Sequence, residues 1–311
     1  MKIFLIVLGA LIFLTLAVGV AFQQKLIRRG SSVPGAADVY ENPLFEPTVK
    51  ELMAFNATRI KKFSQLPTET LSITTEDGLK LIGKLIRGTE PVTVICCHGY
   101  DSLPLYDYCA VSEIFLNKGY SVFMPHMRGH GESEGKYVGF GVLDAQDVRH
   151  WVLKMQDVFP ANDIFLHGIS MGGASVLNSA DLFHNGEVSG IISDCAFTTP
   201  HEVFSHLIGD MYHLPRFPFI GSFELANMLI AHYDFHTFDV RNAITESAVP
   251  CIYICGDEDR FIPRDMAQSI ADRCEASMLV HGAGHAASYM METEKYKDFV
   301  IDFIEKYRGK N

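Results

Sequence analysis

Ile164-Phe165-Leu166-His167-Gly168-Ile169-Ser170-Met171-Gly172 is the stretch on which the reading of this chain turns. Ile164 to His167 is a short apolar run of strand type, and Gly173 to Phe183 continues with helical character. Gly168 and Gly172 flank a serine between them. Small residues at both positions let the chain turn sharply enough to lift the Ser170 hydroxyl above a sheet, at the end of the following helix. There the free amides and the helix dipole favour developing negative charge. Gly-x-Ser-x-Gly alone is common, and its place between a strand and a helix is what makes it specific.

A serine hydroxyl is a poor nucleophile at neutral pH, so this reading requires a histidine in hydrogen-bond reach and a carboxylate to orient it. Gly282-Ala283-Gly284-His285-Ala286 is a flexible turn just past the last strand candidate, and His285 is the candidate general base. Its nearest rival, His281, belongs to the strand end and lacks the glycine turn before it. For the acid, Gly256-Asp257-Glu258-Asp259 follows an apolar strand at 251–255. Asp259 reaches one step further into the loop, whereas Asp257 and Glu258 are expected to bond the turn or face solvent. Asp194, at the end of the preceding strand, remains an alternative acid or a helix cap. Cys97-His98-Gly99-Tyr100 ends another strand, and the amides of Tyr100 and Met171 are the candidate oxyanion donors. His98 is read as a loop-positioning residue.

Working outward, strand-like runs at 71–75, 79–86, 92–97, 121–125, 164–167, 191–193, 251–255 and 278–281 alternate with helical patterns. The first two form a hairpin around Glu76-Asp77-Gly78. The later ones, nearly continuous in hydrophobicity, predict a mostly parallel sheet covered on both faces, an α/β class. Asp144 is expected to cap a helix whose apolar face is Val148, Trp151, Val152, Met155 and Phe159. The stretch 200–249 is too long for an ordinary loop and is read as a helical lid. Its apolar residues, Phe217, Phe223, Leu225, Met228 and Leu229 among them, collectively predict an acyl pocket, although each alone is as well explained by covering the sheet.

Ile3 to Phe22 carries no charge and is long enough to cross a hydrocarbon core, so residues 1–29 are read as an amino-terminal membrane anchor. A cleaved signal peptide is the competing reading, with Gly19-Val20-Ala21 as its cleavage site. Lys25, Arg28 and Arg29 after the span, against Lys2 before it, favour a cytoplasmic catalytic domain. Residues 30–47 read as a linker and 48–311 as one folded domain. A formal charge of −11 leaves no basic stripe for nucleic acid. Seven cysteines without framework spacing read as reduced core residues, and no zinc ligand set accompanies them.

One further motif, Met127-Arg128-Gly129-His130-Gly131-Glu132-Ser133, joins the elbow, the acid loop and the histidine turn. Together, over roughly residues 70–308, they resemble the α/β-hydrolase superfamily, and within it the bacterial esterase, lysophospholipase and serine-aminopeptidase-like branch, some of whose members carry an amino-terminal anchor. Met127 and Ile262 depart from the family's usual residues without touching the chemistry. The resemblance implies an eight-stranded α/β-hydrolase fold, no metal or organic cofactor, and acyl transfer to water from a small acyl ester through Ser170, Asp259 and His285. Met127 to Ser133 is a fold marker there, so His130 is left out of the triad. A serine peptidase, a thioesterase or an acyltransferase fits the same motifs. From another class, a silent ligand-binding module would have tolerated loss of the serine or histidine, and a membrane scaffold predicts an exposed apolar or charged interaction surface beyond the anchor, which the sequence does not show.

Overall fold

The computed structural model describes residues 1–30, 47–184 and 186–310. The linker expected over 30–47 falls almost wholly outside them. The elements in chain order are α1 (Lys2–Phe22), α2 (Pro47–Phe63), β1 (Glu69–Thr74), β2 (Lys80–Ile86), β3 (Val92–Cys97), α3 (Pro104–Leu116), β4 (Ser121–Pro125), α4 (Asp144–Val158), β5 (Asp163–Ile169), α5 (Met171–Asn178), β6 (Gly190–Asp194), α6 (Pro200–His206), α7 (Arg216–Ile230), α8 (Val240–Glu246), β7 (Cys251–Gly256), α9 (Arg264–Ala271), β8 (Ala276–Val280), α10 (Ser288–Met291) and α11 (Thr293–Tyr307). A π-helical turn, Gln23–Ile27, continues α1, and another, Leu207–Met211, continues α6.

The eight strands form one sheet in the order β1-β2-β4-β3-β5-β6-β7-β8. β1, β2 and β4 pair antiparallel, and every pairing from β4 to β8 is parallel. Side chains leave a strand alternately to its two faces. Ile95, Cys97, Leu166, Cys251 and Tyr253 therefore join a core beneath α4, α5 and the 200–249 helices, while Val94, Cys96, Phe165, Ile252 and Ile254 join one beneath α3 and α11. Burial on both faces is why these strands read as unbroken apolar runs. Trp151 packs on Phe123 with ring centroids 4.7 Å apart, at the centre of the stripe that Val148, Val152 and Met155 complete.

Two expectations are corrected. Asp144 does not cap α4, because it is already the first helical residue, and its buried carboxylate turns back to accept the Gly141 amide at 2.7 Å. Burial, reinforced by neighbouring Asp147, pushes its pKa up to about 7. The apolar residues of 200–249 also do not all turn inward. Ile220 and Phe223 are buried, but Phe217, Leu225, Met228 and Leu229 face outward, 85%, 46%, 49% and 68% exposed. Between Pro215 and Pro218 the backbone of Phe217 leaves the helical region inside α7.

The amino-terminal helix is built into the domain. Gly19 lies so close to α7 that a Cβ there would come within 2.4 Å of the Ser222 main chain. Phe22 packs against Tyr212 and Phe223, with centroids 5.4 and 6.0 Å away. Ile27 is fully buried and its carbonyl accepts the Val138 amide at 2.7 Å. The Arg29 guanidinium then donates to the carbonyls of Gly131 and Ser133.

Candidate active site

The chain reverses sharply at Ser170, with φ 55° and ψ −116°, a conformation that side-chain-bearing residues rarely adopt and that stores strain. It is held from several sides. The Ser170 amide donates to the Asp194 carbonyl at 2.8 Å, and its carbonyl accepts the Ala174 amide at 2.9 Å. A Cβ at Gly168 would lie 2.3 Å from the Gly172 carbonyl oxygen, and one at Gly172 would lie 2.0 Å from that of Cys97. The two glycines are thus fixed by backbone against backbone, where no side chain can yield.

Ser170 Oγ lies 2.8 Å from His285 Nε2, and His285 Nδ1 lies 2.7 Å from Asp259 Oδ2. The other Asp259 oxygen accepts the amides of Phe261 and Ile262 at 2.8 and 2.9 Å, so the carboxylate is fixed by its own loop. The rivals fall elsewhere. Asp257 accepts the Gly282 amide at 2.7 Å and meets Nδ1 of exposed His281 at 2.8 Å. Asp194 is buried, accepts Ser288 Oγ at 3.2 Å, and has its pKa pushed up to about 7 by burial. Burial of the His285 ring opposes its charge, but the adjacent Asp259 carboxylate outweighs this and raises its pKa well above the usual imidazole range.

The loop after β3 approaches from the other side, where a Cβ on Gly99 would sit 3.4 Å from Ser170 Cβ. Met171 opens α5, so its amide has no carbonyl four residues back within the helix. Among the described residues the Tyr100 amide likewise has no acceptor. This loop is clasped by two histidines. His98 Nε2 accepts the Met127 amide at 3.0 Å, and His130 Nε2 accepts the Asp101 amide at 3.2 Å. Their Nδ1 atoms face the carbonyls of Gly99 and Arg128 at 2.8 and 2.9 Å, which fixes both as neutral rings donating through Nδ1. Burial supports that state, lowering the His130 pKa to about 4 and that of His98 well below its usual value.

Two residues near the site escaped sequence reasoning. Asp107 accepts the Gly99 amide at 2.7 Å and the Ser102 hydroxyl at 2.6 Å, bracing the loop. Buried Cys195 lies beside His285 and Asp259, and burial pushes its pKa up to about 11. Asp107 lies in the first turn of α3, which Pro104 opens, and reads as helix-start acid, while Cys195 reads as core. Neither carries a sequence signal of its own.

Residues 90–216 match the family described as serine aminopeptidase, S33. The structure resembles that of the Pyrococcus furiosus esterase Pf2001, with a TM-score of 0.65 and 25% identity over 80% of this chain and 94% of that one. The chain has the α/β-hydrolase fold. The chain is also 22% identical to protein YqkD of Bacillus subtilis over 98% of both chains, and 21% identical to the thermostable monoacylglycerol lipase of Bacillus sp. over 70% of this chain and 92% of the lipase. Its sheet order and the elbow between β5 and α5 are the features by which an α/β-hydrolase is recognised.

Proposed function

We propose that this hydrolase is a carboxylic ester hydrolase that works through an acyl-enzyme on Ser170. The observation that carries the reading is the unbroken relay from Ser170 Oγ through His285 to Asp259, at 2.8 and 2.7 Å. Ser170 attacks the ester carbonyl while His285 takes its proton, and Asp259 steadies the imidazolium that forms. The oxyanion is met by the amides of Tyr100 and Met171. His285 then protonates the leaving alcohol and, in the second half, draws a proton from water to release the acid. The likeness to a monoacylglycerol lipase favours an ester with an apolar acyl chain. Residues 3–22 tether the enzyme to a membrane, with the catalytic domain on the cytoplasmic side, and the 200–249 helices act as its lid.

The test is labelling of the full chain in detergent by a fluorophosphonate probe, followed by an ester chain-length series run beside aminoacyl amides. Wild type is expected to label, and Ser170→Ala and His285→Ala are not. Folded wild type that stays unlabelled would remove the serine mechanism. Faster cleavage of the amides than of the esters would assign the site to peptidase chemistry instead.

A further inference from the structure

Among the described residues, one stripe of α1 and its π-helical continuation is covered by protein. Thr15, Val18, Gly19, Phe22, Gln23, Leu26 and Ile27 recur at helical spacing and are partly or fully buried, while Ile3 to Leu14 are exposed. The element lying along that stripe is α7, touching at Gly19 and Ser222 and at Phe22 and Phe223. If lipid covers the rest of α1, then whatever packs on its last turns shares that depth.

The outer face of α7 has the character that such a position demands. Leu225, Met228 and Leu229 stand at i, i+3 and i+4, and Phe217 projects at its start. From Phe217 to Ile230 the one charged residue is Glu224, and it is drawn back to His201 Nδ1 at 2.5 Å and His236 Nε2 at 3.0 Å. A water-facing helix places charges where these apolar side chains stand. Exposed apolar side chains thus stand on both of the helices that touch at Gly19 and Ser222.

The catalytic loops lie close to this surface. Arg28 and Gly30 line a small cavity together with Tyr100, Asp101 and Gly131. Arg28 follows Phe22 by six residues, so the oxyanion loop lies within about 20 Å of the end of the span even were the link fully extended. Five of those residues are helical, which shortens the link further.

We infer that α7 is seated in the same membrane leaflet as the end of α1, with Phe217, Leu225, Met228 and Leu229 against lipid, and that the enzyme draws ester lipids bearing an apolar chain laterally from that leaflet. The partner is the bilayer itself. This rests on the proposed retention of residues 3–22 as a span and on the proposed ester hydrolysis at Ser170.

The full chain, reconstituted into phosphatidylcholine vesicles, tests it. Intact mass and fluorophosphonate labelling are recorded first, so that loss of the span or of the reactive serine is seen separately from loss of the membrane-facing lid. Leu229→Cys carrying a bimane label is then compared with Lys295→Cys on exposed α11. Lipid brominated in its acyl chains should quench position 229 at least twofold more than 295, and aqueous iodide the reverse. Equal access of iodide to both positions overturns the inference. So does protection of 229 from both quenchers, which would mean that protein covers it, a second copy included. In a second arm, Leu225→Glu, Met228→Glu and Leu229→Glu combined should lower hydrolysis of vesicle-borne monoacylglycerol at least tenfold and leave a soluble short-chain ester within twofold. Equal effects on both substrates, or no effect on either, overturn it.

Discussion

In the proposed mechanism His285 must be neutral to accept a proton from Ser170 and charged immediately afterwards, and Asp259 would set the pH at which that exchange is available. The carboxylate stabilises the imidazolium and raises the His285 pKa, so the competent neutral ring is populated only as pH climbs through that raised value. The ascending limb of kcat/KM against pH is therefore expected above pH 6.5, the ordinary histidine value. Asp259→Asn removes the charge, so the limb should move to lower pH while the plateau falls by several orders of magnitude, about 10⁴-fold in the best-known triad. A limb that stayed in place in Asp259→Asn would show that another group controls the ring. Ser170, His285 and Gly172 were legible as residue types because the chemistry of the elbow and the base admits few substitutes. Asp259, one step further into the loop than Glu258, meets His285 Nδ1, whereas Asp257 meets His281.

At the scale of elements, the loop after β4 is anchored by Arg128. Its guanidinium donates to both oxygens of buried Asp147 on α4 at 2.6 and 2.7 Å, and to Asp77 of the β1–β2 hairpin at 3.0 Å. One buried side chain thereby ties together the hairpin, α4 and the His130 clasp on the loop after β3. Arg128→Met would strand the Asp147 charge in the core. It is expected to lower unfolding free energy by about 3–5 kcal/mol, read from the denaturant midpoint. Arg128→Met with Asp147→Leu should recover most of that, and a double variant as unstable as the single one would mean that the hairpin contact matters more. Sequence patterning placed every strand to within a few residues, since two-sided burial writes long apolar runs. It misassigned Asp144, because an acid before a helical stripe looks alike whether it caps the helix or begins it.

For the whole molecule, the amino-terminal segment is part of the folded domain. Phe22 and Ile27 are core residues, and Arg29 bonds the very loop that carries His130. Removing residues 1–29 uncovers Phe223 and Val138. With about 1.5–3 kcal/mol for each of the two large buried side chains, Tm in detergent should fall by roughly 10 °C. An unchanged Tm would mean that the docking contributes nothing to the folded domain.

The sequence by itself determined the strand succession, the strand–serine–helix turn, the histidine loop and an apolar amino-terminal helix. Each is written in local residue pattern, where period, glycine geometry or charge-free length leaves little freedom. Tertiary structure decided what local pattern cannot carry: which carboxylate meets His285, how His98 and His130 cross-brace two loops, and which face of α7 turns outward. An apolar side chain looks the same in sequence whether it lines a pocket or stands on a surface, and only the packing of α1 against α7 separates the two.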